Sequence, residues 1–313
     1  MPRIPRTDLD VFPLCLGGNV FGWTADEQQS FGVLDSYLAA GGNFIDTADA
    51  YSAWVPGHAG GESETIIGRW MAARGVRSRI VIATKVGMSP GVKGLSPQTI
   101  RTAAEASLRR LGVTSIDLYY AHADDPETRV EDSLRAFDAL VKEGKVRYIG
   151  ASNFTASRLA EALSISDSNG LARYVALQPH YNLVHRHDYE GALATLCTRE
   201  TVGCLPYFGL AKGFLTGKYR PGGNVDSARA AGALAYLDAR GLRVLDALDD
   251  IAGAHHTTVA AVSLAWLRAQ PTVVAPIASA RTIAQLSELL PVTNVSLTHD
   301  EVARLSAASS DGE

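Results

Sequence analysis

The feature that most limits what this chain can fold into is a strict alternation of two signals. Short β-branched or apolar runs stand at 14–18 (LCLGG), 43–47 (NFIDT), 79–85 (RIVIATK), 116–122 (IDLYYAH), 146–153 (VRYIGASN), 174–179 (YVALQP), 202–207 (VGCLPY) and 272–277 (TVVAPI). Between them lie helix-like stretches such as 27–40, 62–73, 97–111, 130–143 and 259–267, several opening near Ser, Thr or Asp and closing at Gly. A strand, a helix and a further strand in one sheet imply a right-handed parallel crossover. Eight such units close most naturally into a (β/α)8 TIM barrel, an α/β fold. The rival, a doubly wound open sheet, usually carries GxGxxG after its first strand, and here that place reads GGNVFG, which fails the spacing. No linker or low-complexity run divides the chain, so residues 1–313 read as a single barrel domain.

Two stretches depart from the rhythm. Before the first strand, RIPRTDLDVFP reads as an N-terminal β-hairpin with its turn at Asp8–Asp10, placed to close the bottom of the barrel. After the seventh strand, the interval 218–241 is too long for an ordinary connection and reads as a long loop placed to cover a ligand.

Composition narrows the function classes. With 313 residues, 46% of them hydrophobic and 20% charged, the chain can bury a large core. A net charge of −4, with both signs mixed throughout, offers no basic face for phosphate backbones, so no nucleic-acid partner is expected. The start MPRIPRTDLD lacks the apolar core of a signal peptide, and no apolar run approaches the roughly 18 residues that span a bilayer. No membrane partner and a cytoplasmic location are therefore expected. Cys15, Cys197 and Cys204 form no CxxC pair and read as buried thiols without a disulfide.

In a barrel the site forms at the carboxyl ends of the strands. Asp46 ends the second strand, Lys85 the third and His122 the fourth, with Tyr51 just beyond Asp46. Taken singly, each has an ordinary structural reading: a turn cap, a surface lysine, a core histidine and a rim aromatic. Together they form complementary titratable groups that closure brings to one mouth. A phenol gives up its proton poorly at neutral pH. A nearby ammonium lowers that pKa, and a carboxylate holds the ammonium in place, making a general acid.

On these residues the sequence resembles the aldo-keto reductase family over nearly its whole length. GGNFIDTADAY matches the family's glycine, asparagine, aspartate and tyrosine signature, IATKVG its lysine strand and IDLYYAH its histidine strand. GKVRYIGASNF, QPHYNLVHR and GFLTGKY match further blocks in order. The resemblance implies that Tyr51 protonates a carbonyl oxygen as hydride arrives from a nicotinamide. It also implies that Lys85, paired with Asp46, depresses the tyrosine's pKa, and that His122 orients the substrate oxygen.

The same resemblance implies the cofactor contacts. Ser152, Asn153 and Gln178 fall where the family holds the nicotinamide carboxamide, although Ser and Asn after a strand also read as caps of the next helix. Tyr207 falls where an aromatic stacks on the ring, with Phe208 and Leu210 beside it, and Gly18 and Asn19 follow the first strand. Lys218 and Arg229 match positions that fold over the pyrophosphate. Ser279, Arg281, Gln285 and Glu288 match the adenosine end, and Arg281 offers a cation to a 2′-phosphate, which favours NADP(H) over NAD(H). Leu289 stands where relatives often carry Asn, and YFGL replaces the usual YSPL at 207–210. A small-molecule carbonyl substrate is implied, with contacts expected from Phe21, Trp23 and Trp54. A monomer and a homo-oligomer are both compatible with the sequence.

GFLTGKY has three residues between its glycines instead of the four of a phosphate loop, and Tyr stands where Ser or Thr would bind magnesium. GASNF breaks the GxSxG elbow at its last position. His180, His185 and His187, and the pair His255 and His256, lack a cysteine or carboxylate pattern to complete a ligand set, so they read as surface or structural histidines and no metal is expected. Two alternatives to a reductase remain: a nicotinamide-sensing regulatory subunit that keeps the same four residues, and a lyase forming a Schiff base on Lys85.

Overall fold

A computed structural model describes residues 1–223 and 225–310. Eight parallel strands form one sheet: β1 Cys15–Gly17, β2 Phe44–Asp46, β3 Val81–Val86, β4 Ile116–Ala121, β5 Val146–Ser152, β6 Tyr174–Gln178, β7 Gly203–Cys204 and β8 Ile277–Ala278. Their order is β8-β1-β2-β3-β4-β5-β6-β7. The sheet curls round on itself: Cys204 N donates to Thr272 O at 2.8 Å and Val274 N to Cys204 O at 2.9 Å, so the residues leading into β8 meet β7. This is the expected (β/α)8 barrel.

Three expectations shift. The eighth strand, expected at 272–277, is split: Val273 bridges to β7, but Pro276 has no N–H to donate, and the regular ladder to β1 begins only at Ile277. The N-terminal hairpin turns at residues 5–8, not at Asp8–Asp10. Ile4 N donates to Leu9 O and Val11 N to Pro2 O, and Thr7 builds the turn by donating to Ile4 O and accepting from Leu9 N. Asp8 is drawn away to Arg147 and Tyr148, and Asp10 to Arg3. The interval after β7 is not a bare loop. It contains a short helix, Ala230–Leu234, and the start of a longer one, Ala239–Ala254.

The helices start where the sequence offers caps. Ser96 accepts from Thr99 N ahead of Pro97–Leu111, and Asp26 forms a reciprocal capping box with Gln29 at the start of Glu27–Ala39. The apolar core lies in two places. Between sheet and helices, residues such as Leu16, Ile45, Ile82 and Trp266 pack together. Inside the barrel, Ile4, Leu9 and Val11 of the hairpin join Phe44, Leu118 and Val175, so the hairpin plugs one end and leaves the other for a site. No helix among the described residues is long and apolar enough to cross a membrane.

Candidate active site

At the carboxyl ends of β2 and β3, Asp46 and Lys85 point into the barrel mouth. Lys85 is 0% exposed, and each of its three N–H donors has an acceptor: Asp46 Oδ2 at 2.6 Å, the Thr47 carbonyl at 2.8 Å and Tyr51 Oη at 2.8 Å. A surface-lysine reading is thereby excluded. Asp46 accepts a second bond at Oδ1 from Gln178 Nε2, 2.8 Å away on β6, so it serves the site and not a turn. Because the ammonium donates to the phenol oxygen, the Tyr51 proton is left facing only a long 3.4 Å contact with Asp46. His122 follows β4, its ring centroid 6.1 Å from that of Tyr51.

The charges follow from burial and pairing. Burial opposes the Lys85 ammonium, but Asp46 and Tyr51 outweigh it and its pKa is raised, so the amine stays charged. A Schiff-base role, which needs a neutral amine, has no support here. For Tyr51 the expected net depression does not occur. Burial pushes it up to about 12, with Asp46 adding to the rise, even though the Lys85 charge acts to lower it. His122 lies well below its usual range because of burial first and the Lys85 charge second. It is a neutral imidazole at pH 7, and its Nδ1 is buried without a partner among the described residues.

Asp46, Tyr51, His122 and Gln178 open onto a cavity of about 830 Å³, with Lys85 buried behind them. Matching the chain to known families assigns residues 13–310 to the Aldo/keto reductase family. This chain belongs to the aldo-keto reductase family. Similar proteins include Protein tas of Escherichia coli (33% identity, 97% of this chain and 96% of the relative) and norsolorinic acid reductase of Aspergillus flavus (30%; 95% and 78%). Aldo-keto reductase str7 of Strobilurus tenacellus is 32% identical, over 94% of this chain and 84% of that protein. The family is one of oxidoreductases that generally use nicotinamide cofactors.

In this aldo-keto reductase the cavity wall carries Asn19, Asp46, Tyr51, His122, Ser152, Asn153, Gln178, Tyr207, Phe208, Leu210, Lys218, Arg229, Ser279, Arg281, Gln285 and Glu288. Gly18 is not on it. Its backbone faces Ser63 and Ile67, and Gly17 lines the cavity instead, at a point where an added Cβ would lie 2.6 Å from Ser279 Oγ. Phe21 is also off the wall, fully buried in the core, while Trp23 and Trp54 line the mouth with ring centroids 5.4 Å apart.

The helix after β5 is capped by Thr155, which frees Ser152 and Asn153 from that duty. Ser152 Oγ donates to the Gln178 carbonyl at 2.9 Å. Asn153 holds φ +57° and donates to the His122 carbonyl, while Tyr207 Oη donates to Asn153 Oδ1 at 2.7 Å. Ser279 Oγ donates to Asn19 Oδ1 at 2.7 Å, tying β8 to the turn after β1, and Gln285 Oε1 accepts from Arg281 N at 2.9 Å.

Among the wall residues that sequence reasoning missed, two carry long side chains. Met88, half exposed, starts a small hairpin after β3, and Lys212 sits in the irregular turn 211–216 with φ +58°. A cation and a glycine between the seventh strand and GFLTGKY were the only signal for Lys212. With Lys218, Arg229 and Arg281 it makes four cations on one wall, and among the described residues none of the four forms a salt bridge. Burial and the neighbouring Arg281 lower the pKa of Lys218, and burial chiefly lowers that of Arg229. Arg229 lies 5.4 Å over the ring of Trp23, across the mouth.

Proposed function

We propose that this protein reduces aldehydes or ketones to alcohols with NADPH, Tyr51 acting as the general acid. The observation that carries the reading is the buried Lys85 ammonium held between Asp46 at 2.6 Å and Tyr51 Oη at 2.8 Å, both of which line the large cavity. Bound NADPH supplies the hydride. The four cations, none of them in a salt bridge among the described residues, fit a dinucleotide carrying several phosphates, since a polyanionic ligand relieves the repulsion around Lys218 and Arg229 and offers charge-assisted acceptors.

As hydride adds to the carbonyl carbon, the C=O π pair moves onto oxygen. Tyr51 Oη passes its proton to that oxygen, and the Lys85 ammonium stabilises the phenolate left behind. A tyrosine near 12 remains protonated at neutral pH, and an alkoxide is about as basic as hydroxide, whose conjugate acid has a pKa near ~16. The transfer is therefore downhill by roughly 4 pKa units, about 5 kcal/mol. The tyrosine needs no net depression to act as an acid. The neutral imidazole of His122 donates an N–H to the same oxygen and orients it. Trp23, Trp54 and Met88 give the substrate end an apolar lining.

The test is direct. Purified protein is mixed with NADPH and a panel of aromatic and short aliphatic aldehydes, and the absorbance of the reduced nicotinamide is followed. Loss of absorbance with alcohol formation supports the reading, whereas tight NADPH binding with no turnover across the panel would replace it with the sensing subunit.

A further inference from the structure

Away from the cavity wall, the segment after β6 brings together residues that the sequence scatters through PHYNLVHRHDYE. One ligand atom each from His180, His185 and Asp188 lies within 4.8 Å of the other two. His185 Nε2 is 2.6 Å from Asp188 Oδ2, and the exposed His187 places its Nε2 2.7 Å from the other carboxylate oxygen, Oδ1. His180 and His185 stack face to face, centroids 3.7 Å apart and planes within 11°. The carboxylate of this histidine cluster is Asp188, adjacent to His187 in sequence.

We infer that His180, His185 and Asp188 form a binding site for a divalent transition-metal ion. Two imidazoles and one carboxylate are a ligand set suited to zinc, cobalt or nickel, whereas magnesium and calcium take all-oxygen sets. Metal–nitrogen and metal–oxygen bonds of about 2.0–2.2 Å place ligand atoms roughly 3.0–3.4 Å apart, so the 2.6 Å contact opens slightly and the wider separations close. Parallel rings cannot both aim in-plane lone pairs at one ion, so binding turns one ring out of the stack. That ring is His185, whose side chain is 20% exposed, because His180 also stacks on Tyr207 with centroids 5.4 Å apart. Three protein ligands leave further coordination positions to water. His187 acts as a positioning residue, holding the second carboxylate oxygen.

The experiment is a calorimetric titration of the full, metal-free chain with zinc chloride, paralleled by a cobalt(II) titration read by its visible absorption. The expected result is one equivalent bound with a Kd on the order of 1 μM, weakened about 30-fold or more by His185→Ala or Asp188→Asn and only a few-fold by His187→Ala. Zinc should also raise the Tm of the parent and not that of Asp188→Asn. If His185→Ala fails to fold, the exposed Asp188→Asn decides alone. Parent-like zinc affinity in Asp188→Asn, or parent binding no tighter than about 1 mM, would overturn the assignment.

Discussion

At the ends of β2, β3 and β6 every strong charge has found its partner, whereas along the wall built by the residues after β7 and β8 the cations stand alone. Asp46 binds Lys85 and Gln178, and Lys85 spends all three donors on protein acceptors. Lys212, Lys218, Arg229 and Arg281 line the same cavity with no salt bridge among the described residues. The first wall is complete as folded and can be aimed at chemistry. The second is left unsatisfied, as a wall awaiting an anion would be, and its stability and its affinity for that anion pull in opposite directions.

The largest effect should come from the complete wall. Tyr51→Phe removes the proposed proton donor while keeping the ring, so turnover with an aldehyde should fall by about 10²- to 10⁴-fold with NADPH affinity changed by less than a few-fold. Stopped-flow rates and a fluorescence titration separate the two. A near-normal turnover in this variant would remove Tyr51 from its role and break the contrast at its first point.

Asp46→Asn should come next, this time in stability. It keeps the shape but leaves the Lys85 ammonium buried without its counter-charge, a change that costs roughly 3–5 kcal/mol. Urea unfolding reads the loss.

On the other wall, Arg281→Gln should weaken NADPH binding by about 10- to 100-fold, as expected for the loss of charge-assisted bonds to a phosphate, and should affect NADH far less. Without nucleotide the same variant should be as stable as the parent or slightly more so, because one repulsive neighbour of Lys218 is gone. A stability loss like that of Asp46→Asn would show that the two walls are not different in kind.

The contrast also explains what could be read from the sequence. Asp46, Lys85 and His122 were legible because strand ends fix direction: once eight strands are counted, closure alone brings their last residues together. Ser152 and Gln178 also end strands, but their place at the site was read from the family resemblance. Where the backbone leaves regular structure the reading loosened. Gly17 and Gly18 differ by one residue and face opposite ways, Phe21 turns inward while Trp23 turns outward, and Lys212 reaches the wall only through a run of left-handed backbone angles. Asp188 escaped notice because its ligand partners lie three and eight residues away on an irregular segment without helical or strand period. The sign of the net shift on Tyr51 was missed for another reason, since it depends on how much burial opposes a nearby charge, and no motif records that.

One residue buried behind the complete wall lacks what its neighbours have, and above neutral pH it gives the smallest of the expected effects. Asp49, three residues after Asp46, is buried beside Glu64, and among the described residues neither of its carboxylate oxygens has a hydrogen-bond partner. Glu64 takes the available donors, Thr84 Oγ1 at 2.6 Å and Arg110 Nε at 2.6 Å. Burial first, and then the Glu64 charge, push Asp49 up to about 7, against about 3.9 for an unfolded carboxyl. Between pH ~4 and ~7 the folded chain therefore holds a proton that the unfolded chain has released. Stability falls as pH rises through that window, by up to about 1.4 kcal/mol per unit, and levels off above it. Asp49→Asn removes the ionisation but leaves a polar amide still short of partners. Its gain at pH 8 should therefore be only on the order of 1–2 kcal/mol, turning into a loss of about 2–3 kcal/mol near pH 4, where the parent carboxyl is already neutral. Thermal unfolding of parent and variant across that range measures the difference, and parallel curves would mean that Asp49 ionises as easily in the fold as outside it.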